Sequence, residues 1–297
     1  MEVCGKELRI DRRLIRIGFI DGEGYQFLDD PESARDIVRN VRPRIDLFTF
    51  VQRISETAPK YNYPMEWDNM AVLPVSTFDH WMAHQISSRV RNIVRKTSKD
   101  GVVVREVPFD DALIHGISGI YNESPVRQGR RFPHYGIDLT SLRRMKATFL
   151  DRATFIGAFF EGNLIGFVKL VADKHNGQAG IMHILSMIRH RDKNPTNALI
   201  AQAVRSCAER GIPFLWYVNF HYGKKGHDSL AEFKRRNGFQ KVDLPRYFIP
   251  LTIAGRLALQ FGLHHSITDL IPVPVADTYR RIRSIWYAKR FPGVESA

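Results

Sequence analysis

Runs of period-two alternation and runs of helical spacing follow one another along this chain. Residues 8–28 (LRIDRRLIRIGFIDGEGYQFL) alternate and predict a β-hairpin about Asp21-Gly22-Glu23-Gly24. Residues 32–41 read as a short helix behind Pro31, and residues 45–54 (IDLFTFVQRI) as a buried strand. The stretch 55–73 reads as a loop whose Tyr61, Tyr63 and Trp67 either line a ligand or pin the loop to the core. Phe78, Trp81, Met82, Ile86, Val90, Ile93 and Val94 share one face of a helix that starts at Ser76, with Asp79 completing a capping box.

From Gly101 the pattern becomes regular. A strand at 102–107 precedes a helix at 110–121, a long polar loop at 122–136 (NESPVRQGRRFPHYG) and a helix at 140–150. Strands at 154–160 and 164–172 pair about Glu161-Gly162-Asn163, and an apolar strand at 181–188 runs into a basic turn at 189–194. There Pro195 stands at the first position of a helix, with Asn194 before it as N-cap and Arg210-Gly211 as its stop. A strand at 214–220, a loop at 221–228, a helix at 229–237 and a strand at 240–250 follow. The order from Gly101 is β-α-α-β-β-β-α-β-α-β. Beyond Thr252 come an amphipathic stretch at 257–270, the break Ile271-Pro272-Val273-Pro274, and a basic helix at 278–290. Ile282, Ile285 and Trp286 would bury that helix on the domain or on an anionic membrane surface.

Composition narrows the class. The 297 residues are 44% hydrophobic and 25% charged, as in water-soluble globular proteins, and no apolar run reaches the length of a membrane span. The opening MEVCGKELRIDRR lacks the apolar core of a secretory signal, so a cytoplasmic protein is expected, with the inner membrane face as a peripheral site. Cys4 and Cys207 alone make neither a disulfide framework nor a cysteine metal cluster, and no metal is expected. The net charge of +13 calls for nucleic acid, a phosphorylated cofactor, an anionic sugar or lipid, or simply a solvated basic surface. Arg91, Arg95 and Lys99, four residues apart, admit the same two readings.

The strand, turn and helix over 179–211 are one way to offer backbone N–H groups to an anion; an ordinary β–α connection is the other reading. The element order around them resembles the GNAT fold of acyl-CoA N-acyltransferases. The resemblance covers about residues 101–252. It is strongest at Phe155-Ile156-Gly157-Ala158-Phe159-Phe160-Glu161-Gly162-Asn163-Leu164-Ile165-Gly166-Phe167 and at Phe233-Lys234-Arg235-Arg236-Asn237-Gly238-Phe239. Arg91-Asn92-Ile93-Val94-Arg95-Lys96 leading into Gly101-Val102, and the pair Phe233-Lys234, are similar to the Fem branch, which uses aminoacyl-tRNA as donor.

The resemblance implies an α+β (α/β) protein with a mixed, mostly antiparallel sheet flanked by helices. A reduced GNAT-like N-terminal half with its linking helix would fill 1–100, the transferase domain 101–252 and a helical extension 253–297. It places the donor along Ser186, Met187, Arg189, Arg191, Lys193, Asn194, Thr196 and Asn197, a splayed strand exposing an N–H near Ser186 and Met187. The loop 122–136 would face the acceptor: Arg127 and Arg130 gripping a carboxylate or phosphate, Gln128, His134 and Tyr135 adding hydrogen bonds, Glu123 acting as base. The other reading is a salt-bridged loop that orders itself. Lys234 would stabilise the oxyanion or the donor's phosphate–ribose end, or else be a surface lysine. Tyr222 would protonate the leaving group, with His221 or His227 as a base.

Two departures bear on the donor. The family's phosphate loop carries glycines, but here Arg191-Asp192-Lys193-Asn194-Pro195-Thr196 has none, and Pro195 removes an N–H donor. The Tyr that many family members use as general acid is matched by Lys234. Both features weigh against an ordinary acetyl-CoA enzyme. The leading expectation is a Fem-like transferase moving an acyl or aminoacyl group from acyl-CoA or aminoacyl-tRNA to an amine, on a cell-envelope or polysaccharide precursor. A catalytically inactive GNAT fold binding RNA or an anionic membrane is the alternative, and an acetyl-CoA-dependent N-acetyltransferase the third.

Overall fold

A computed structural model describes residues 2–4, 6–12, 14–21, 25–221, 229–265 and Thr278. Among these the chain forms two compact units, one of residues 2–73, 216–234 and 239–265, the other chiefly of residues 74–215 with 235–238.

In the first unit, strands β1 (Glu2–Val3), β2 (Lys6–Arg12) and β3 (Arg16–Asp21) precede helix α1 (Pro31–Arg39) and strands β4 (Leu47–Val51) and β5 (Met65–Pro74). The hairpin is β2–β3, antiparallel with Arg12 opposite Arg16, so the paired strands are 6–12 and 16–21; the glycine pair expected to make the turn lies outside the described residues. The expected loop 55–73 holds β5 in its second half. Its Met65-Glu66-Trp67-Asp68-Asn69 start has little strand propensity, and pairing with a later strand supplies what local preference lacks. Tyr61 and Tyr63 pack on Phe50, so these two pin the loop to the core.

The second unit opens with the short helix α2 (Phe78–His80), which passes into a π-helical turn, Trp81–Gln85, before helix α3 (Ser88–Lys99). The single helix expected from Ser76 is therefore broken. Thr77, not Ser76, caps α2, and extended Ile86 lets Ser87 cap α3 anew. Arg91 explains how the break is tolerated: its guanidinium donates to the carbonyls of Met82 (2.7 Å) and Ala83 (2.7 Å), which the π turn frees. That arginine is spent inside the fold, while Arg95 and Lys99 are exposed.

Strand β6 (Val103–Val107), helix α4 (Asp111–Tyr121), the small hairpin β7 (Val126–Arg127) and β8 (Arg130–Arg131), and helix α5 (Leu139–Lys146) come next. Then follow β9 (Ala153–Phe160), β10 (Asn163–Ala172), β11 (Ala179–Ser186), a 3-10 turn Ile188–Lys193 and helix α6 (Pro195–Glu209). The strands lie in the order β11-β10-β9-β6, all antiparallel. Helices α4 and α6 both pack on β10, whose residues 164–171 are buried throughout, as a strand sandwiched between two helical layers must be.

Strand β12 (Phe214–Asn219), helix α7 (Ser229–Arg236), strand β13 (Gln240–Pro250) and helix α8 (Ile253–Gln260) complete the described elements. The first unit's strand order is β1-β2-β3-β4-β13-β5-β12, with β3–β4 parallel. One face packs Phe48, Phe50, Tyr247 and Ile249 under α1; the other packs Ile17, Leu47 and Phe248 under α8. The expected helix over 278–290, like the end of the amphipathic stretch 257–270, lies outside the described residues.

Helix α8 approaches the sheet so closely that a Cβ on Gly255 would lie 2.0 Å from the Asp46 carbonyl oxygen. That oxygen is fixed by the Leu251 N–H at 2.9 Å and cannot yield. Gly255→Ala is expected to destabilise the protein by about 1–3 kcal/mol, read as a lower urea midpoint at unchanged slope.

Candidate functional site

Glu123 follows α4 directly and turns its carboxylate toward the end of β11. Its oxygens accept the Ile188 N–H (2.7 Å) and the Arg189 N–H (3.0 Å), the first donors of the 3-10 turn. Arg127 pairs with it at 3.0 Å and also donates to the carbonyls of Ser186 (2.9 Å) and Ile120 (2.6 Å). The pair's side chains are 12% and 11% exposed. Burial pulls the Arg127 guanidinium downward, and the Glu123 charge opposes that shift. The N–H groups the sequence offered to an outside anion are thus filled by an inside one. Arg127 and Glu123, expected to grip and deprotonate an acceptor, instead close the turn.

The remaining donor positions sort by what they touch. Met187 N–H donates to Ile165 O at 2.8 Å, so it is not the exposed N–H expected of a splayed strand. Ser186 Oγ and Thr196 Oγ1 share a hydrogen bond of 2.9 Å across the turn. Asn194 does not cap α6: its backbone is left-handed (φ 52°, ψ 43°), and its amide donates back to Asp192 O at 2.9 Å. Lys193 lies over the Phe160 ring at 4.2 Å. Asn197 is buried and bonds Asn237 Oδ1 at 3.1 Å, which leaves it no part in holding a ligand. Arg189 and Arg191 are exposed.

In the 122–136 loop, Gln128 and Gly129 form the β7–β8 turn with φ of 51° and 65°, and Arg130 and Tyr135 face solvent. His134 turns inward. It stacks on Tyr121 at 5.2 Å and stands 6.1 Å from the His183 ring, while Phe132 meets Tyr121 edge-on. Tyr121 Oη lies 2.6 Å from His183 Nε2. Burial pushes the Tyr121 hydroxyl well above its usual range, and burial with Lys146, His134 and Lys169 nearby pushes His183 down to about 3. The proton therefore stays on Tyr121, which donates to a neutral imidazole. Burial and Lys146 also lower His134.

Lys146, at the end of α5, is 3% exposed, with Nζ over the rings of Tyr121 (5.4 Å) and Phe167 (5.5 Å). Among the described residues no carboxylate or carbonyl meets it. Burial first, and Lys169 second, bring its amine down to about 7. Lys169 is buried too, down to about 8, but its ammonium donates to the carbonyls of Lys146 and Thr148 and to the Thr148 hydroxyl. The arrangement supplies a neutral amine beside a tyrosine–histidine pair, a group able to take up a proton near pH 7. Local sequence pattern does not single out Tyr121, Lys146, Lys169 and His183. The signals it does carry are a lysine and a histidine inside apolar strands (FVKLVA and IMHIL) and Lys146 one turn beyond buried Leu142.

Lys234 belongs to the first unit and is fully buried rather than a surface lysine. Its Nζ donates to Asn219 O at 2.5 Å and lies 4.6 Å over the Tyr217 ring. The Asn219 amide donates to Asp68 (3.1 Å), which also receives Arg246 (2.6 Å) and the Tyr25 hydroxyl (2.5 Å). Burial drives the Tyr25 hydroxyl upward, so it remains a donor. Asn69 Oδ1 accepts the His221 N–H at 2.7 Å. Tyr222 and His227 lie outside the described residues.

No protein-family model and no curated protein sequence matches the chain. Solved structures do. FemX aligns over 85% of this chain and 85% of its own at TM-score 0.58 and 9% identity. The C-terminal domain (DUF2156) of a protein named as a lysylphosphatidylglycerol synthetase, from Agrobacterium fabrum, aligns over 85% and 83% at 0.54 and 13% identity. L-PGS from Bacillus licheniformis aligns over 72% and 70% at 0.50 and 12%. The chain has the fold of these proteins, and the mixed, mostly antiparallel sheet flanked by helices that the sequence leads one to expect is the architecture observed.

The Lys146 amine sets a stability signature. Its pKa is lower folded than unfolded, so the unfolded chain binds more protons between about pH 7 and 10, and stability rises with pH across that window. From pH 7 to 9 the Lys146 share is on the order of 2 kcal/mol, with Lys169 adding in the same direction. Lys146→Met is expected to flatten the curve and raise stability at pH 7, measured by denaturant unfolding at each pH.

Proposed function

We propose that this protein is a GNAT-fold transferase that takes an aminoacyl group from tRNA, not an acyl group from CoA, and passes it to an amine on a cell-envelope or polysaccharide precursor. The observation that carries the choice of donor is the Glu123 carboxylate on the N–H groups of Ile188 and Arg189. A CoA pyrophosphate would have to displace it, breaking its buried pair with Arg127 and setting a phosphate beside a carboxylate. Pro195 has no N–H to add. The fold shared with FemX and with the lysylphosphatidylglycerol synthetase domain supports the transferase class, while the choice of donor rests on Glu123 and Pro195.

The chemistry asks little of the protein beyond placement. The acceptor nitrogen attacks the ester carbonyl, the carbonyl carbon's bond to the ribose oxygen breaks, and the amine loses a proton. Lys146, neutral above about pH 7, takes that proton and returns it to the departing ribose oxygen, which leaves as a hydroxyl; Tyr121 and His183 hold its surroundings uncharged. Arg189 and Arg191 meet tRNA phosphates, and Arg130 and Tyr135 meet the acceptor.

Binding of charged and uncharged tRNA, and calorimetry with acetyl-CoA, test the donor. Charged tRNA is expected to bind more tightly, and replacing both Arg189 and Arg191 with alanine to reduce the salt slope by about 1.5–2. Micromolar acetyl-CoA binding that survives physiological salt would overturn the reading. Lys146→Met should leave tRNA binding intact and lower turnover by about 10²–10⁴, with loss of the rate's rise near pH 7.

A further inference from the structure

The end of α8 brings two adjacent histidines against β5. The helix stops in a Schellman arrangement: Gly262 is left-handed (φ 68°), its N–H reaches Leu259 O at 3.3 Å, and the Leu263 N–H reaches Ala258 O at 2.8 Å. This fixes the direction of the two residues that follow. His264 Nε2 stands 2.9 Å and His265 Nε2 3.2 Å from the same oxygen, Glu66 Oε1, and the two rings are 4.0 Å apart. One ligand atom from each of the three residues falls within 4.8 Å of the others. We propose that Glu66, His264 and His265 form a three-ligand site for a dication of the zinc class.

The donor set is the two-imidazole, one-carboxylate combination such ions favour, with room for water as a further ligand. Bonds of about 2.0–2.1 Å in a tetrahedral site set neighbouring ligand atoms about 3.3 Å apart. The two carboxylate–imidazole spacings of 2.9 and 3.2 Å are within tenths of an ångström of that, and the two imidazole nitrogens, within 4.8 Å of each other, would close by at most about 1.5 Å through rotation of the exposed His265 side chain. His264 Nδ1 faces Ala258 O at 3.4 Å, the usual outer partner of a ligating imidazole. His264 is packed edge-on to Phe248 at 4.8 Å, which fixes its ring. Glu66 and His265, 42% and 41% exposed, leave the ion a way in. The C-terminal end of α8 adds a favourable dipole for positive charge.

The site stands apart from the transferase reading and can fail without it. The test is calorimetric titration of chelator-treated full-length protein with zinc chloride, and titration with cobalt chloride followed by visible absorption. Expected are one zinc per chain at micromolar affinity or tighter, d–d absorption with cobalt, and a higher melting temperature with zinc. Glu66→Gln and His265→Ala, both at half-exposed positions, should each weaken binding at least about tenfold while circular dichroism stays unchanged. His80 and His84, exposed with rings 5.1 Å apart, are the competing site. Zinc binding that survives Glu66→Gln and His265→Ala but is lost on replacing His80 and His84 with alanine would overturn the proposal. So would the absence of binding stronger than millimolar.

Discussion

The Glu123–Arg127 pair is the interaction on which the second unit's functional region depends. Glu123 satisfies the first two donors of the 3-10 turn that follows β11, and Arg127 satisfies the carbonyls at the ends of β11 and α4. A buried ion pair of this kind is costly to break, because either partner alone would be an uncompensated charge. It also ties the loop after α4 to the strand end, which places Phe132 against Arg127 and Tyr121, and so helps to shape the aromatic surroundings of Lys146. Chemistry and architecture are therefore linked: the carboxylate that orders the loop also closes the anion cradle.

Among the described residues, the same unit buries Lys146 and Lys169 with no carboxylate beside either. Burial lowers both amines, and the differences in their partners separate their roles. Lys169 is saturated by three oxygens, a structural brace across the end of α5. Lys146 rests on aromatic faces alone among the described residues; the rings attract its cation, but burial outweighs that attraction and favours the neutral amine. In the first unit the polar interior is organised in the opposite manner. Asp68 collects Arg246, Tyr25 and Asn219, and Lys234 leans on Asn219, so opposite charges are close and well bonded.

Several features were legible in the chain. The meander β9–β10, the strand–turn–helix from β11 to α6 and the elements from α7 to β13 follow from period, turn glycines and Pro195, all short-range signals. The π turn after α2 was not legible, because Arg91 pays its cost from nine residues away. Strand β5 was not legible either, since Glu66, Asp68 and Asn69 belong in a strand only when β13 lies alongside. Among the candidate site residues, chemistry could be named but not direction. Glu123 and Arg127 were marked as charged groups near the acceptor, and only the packed structure turns them on each other.

By itself, then, the sequence determined the fold class, the order of elements from β9 to β13 and the absence of glycine from the turn before α6, since these depend on local periodicity and residue type. Tertiary structure decided which polar groups are spent inside. Lys146, His183, Glu123 and Lys234 acquire their properties from burial and from partners tens of residues distant, and desolvation and pairing are quantities that no local pattern contains.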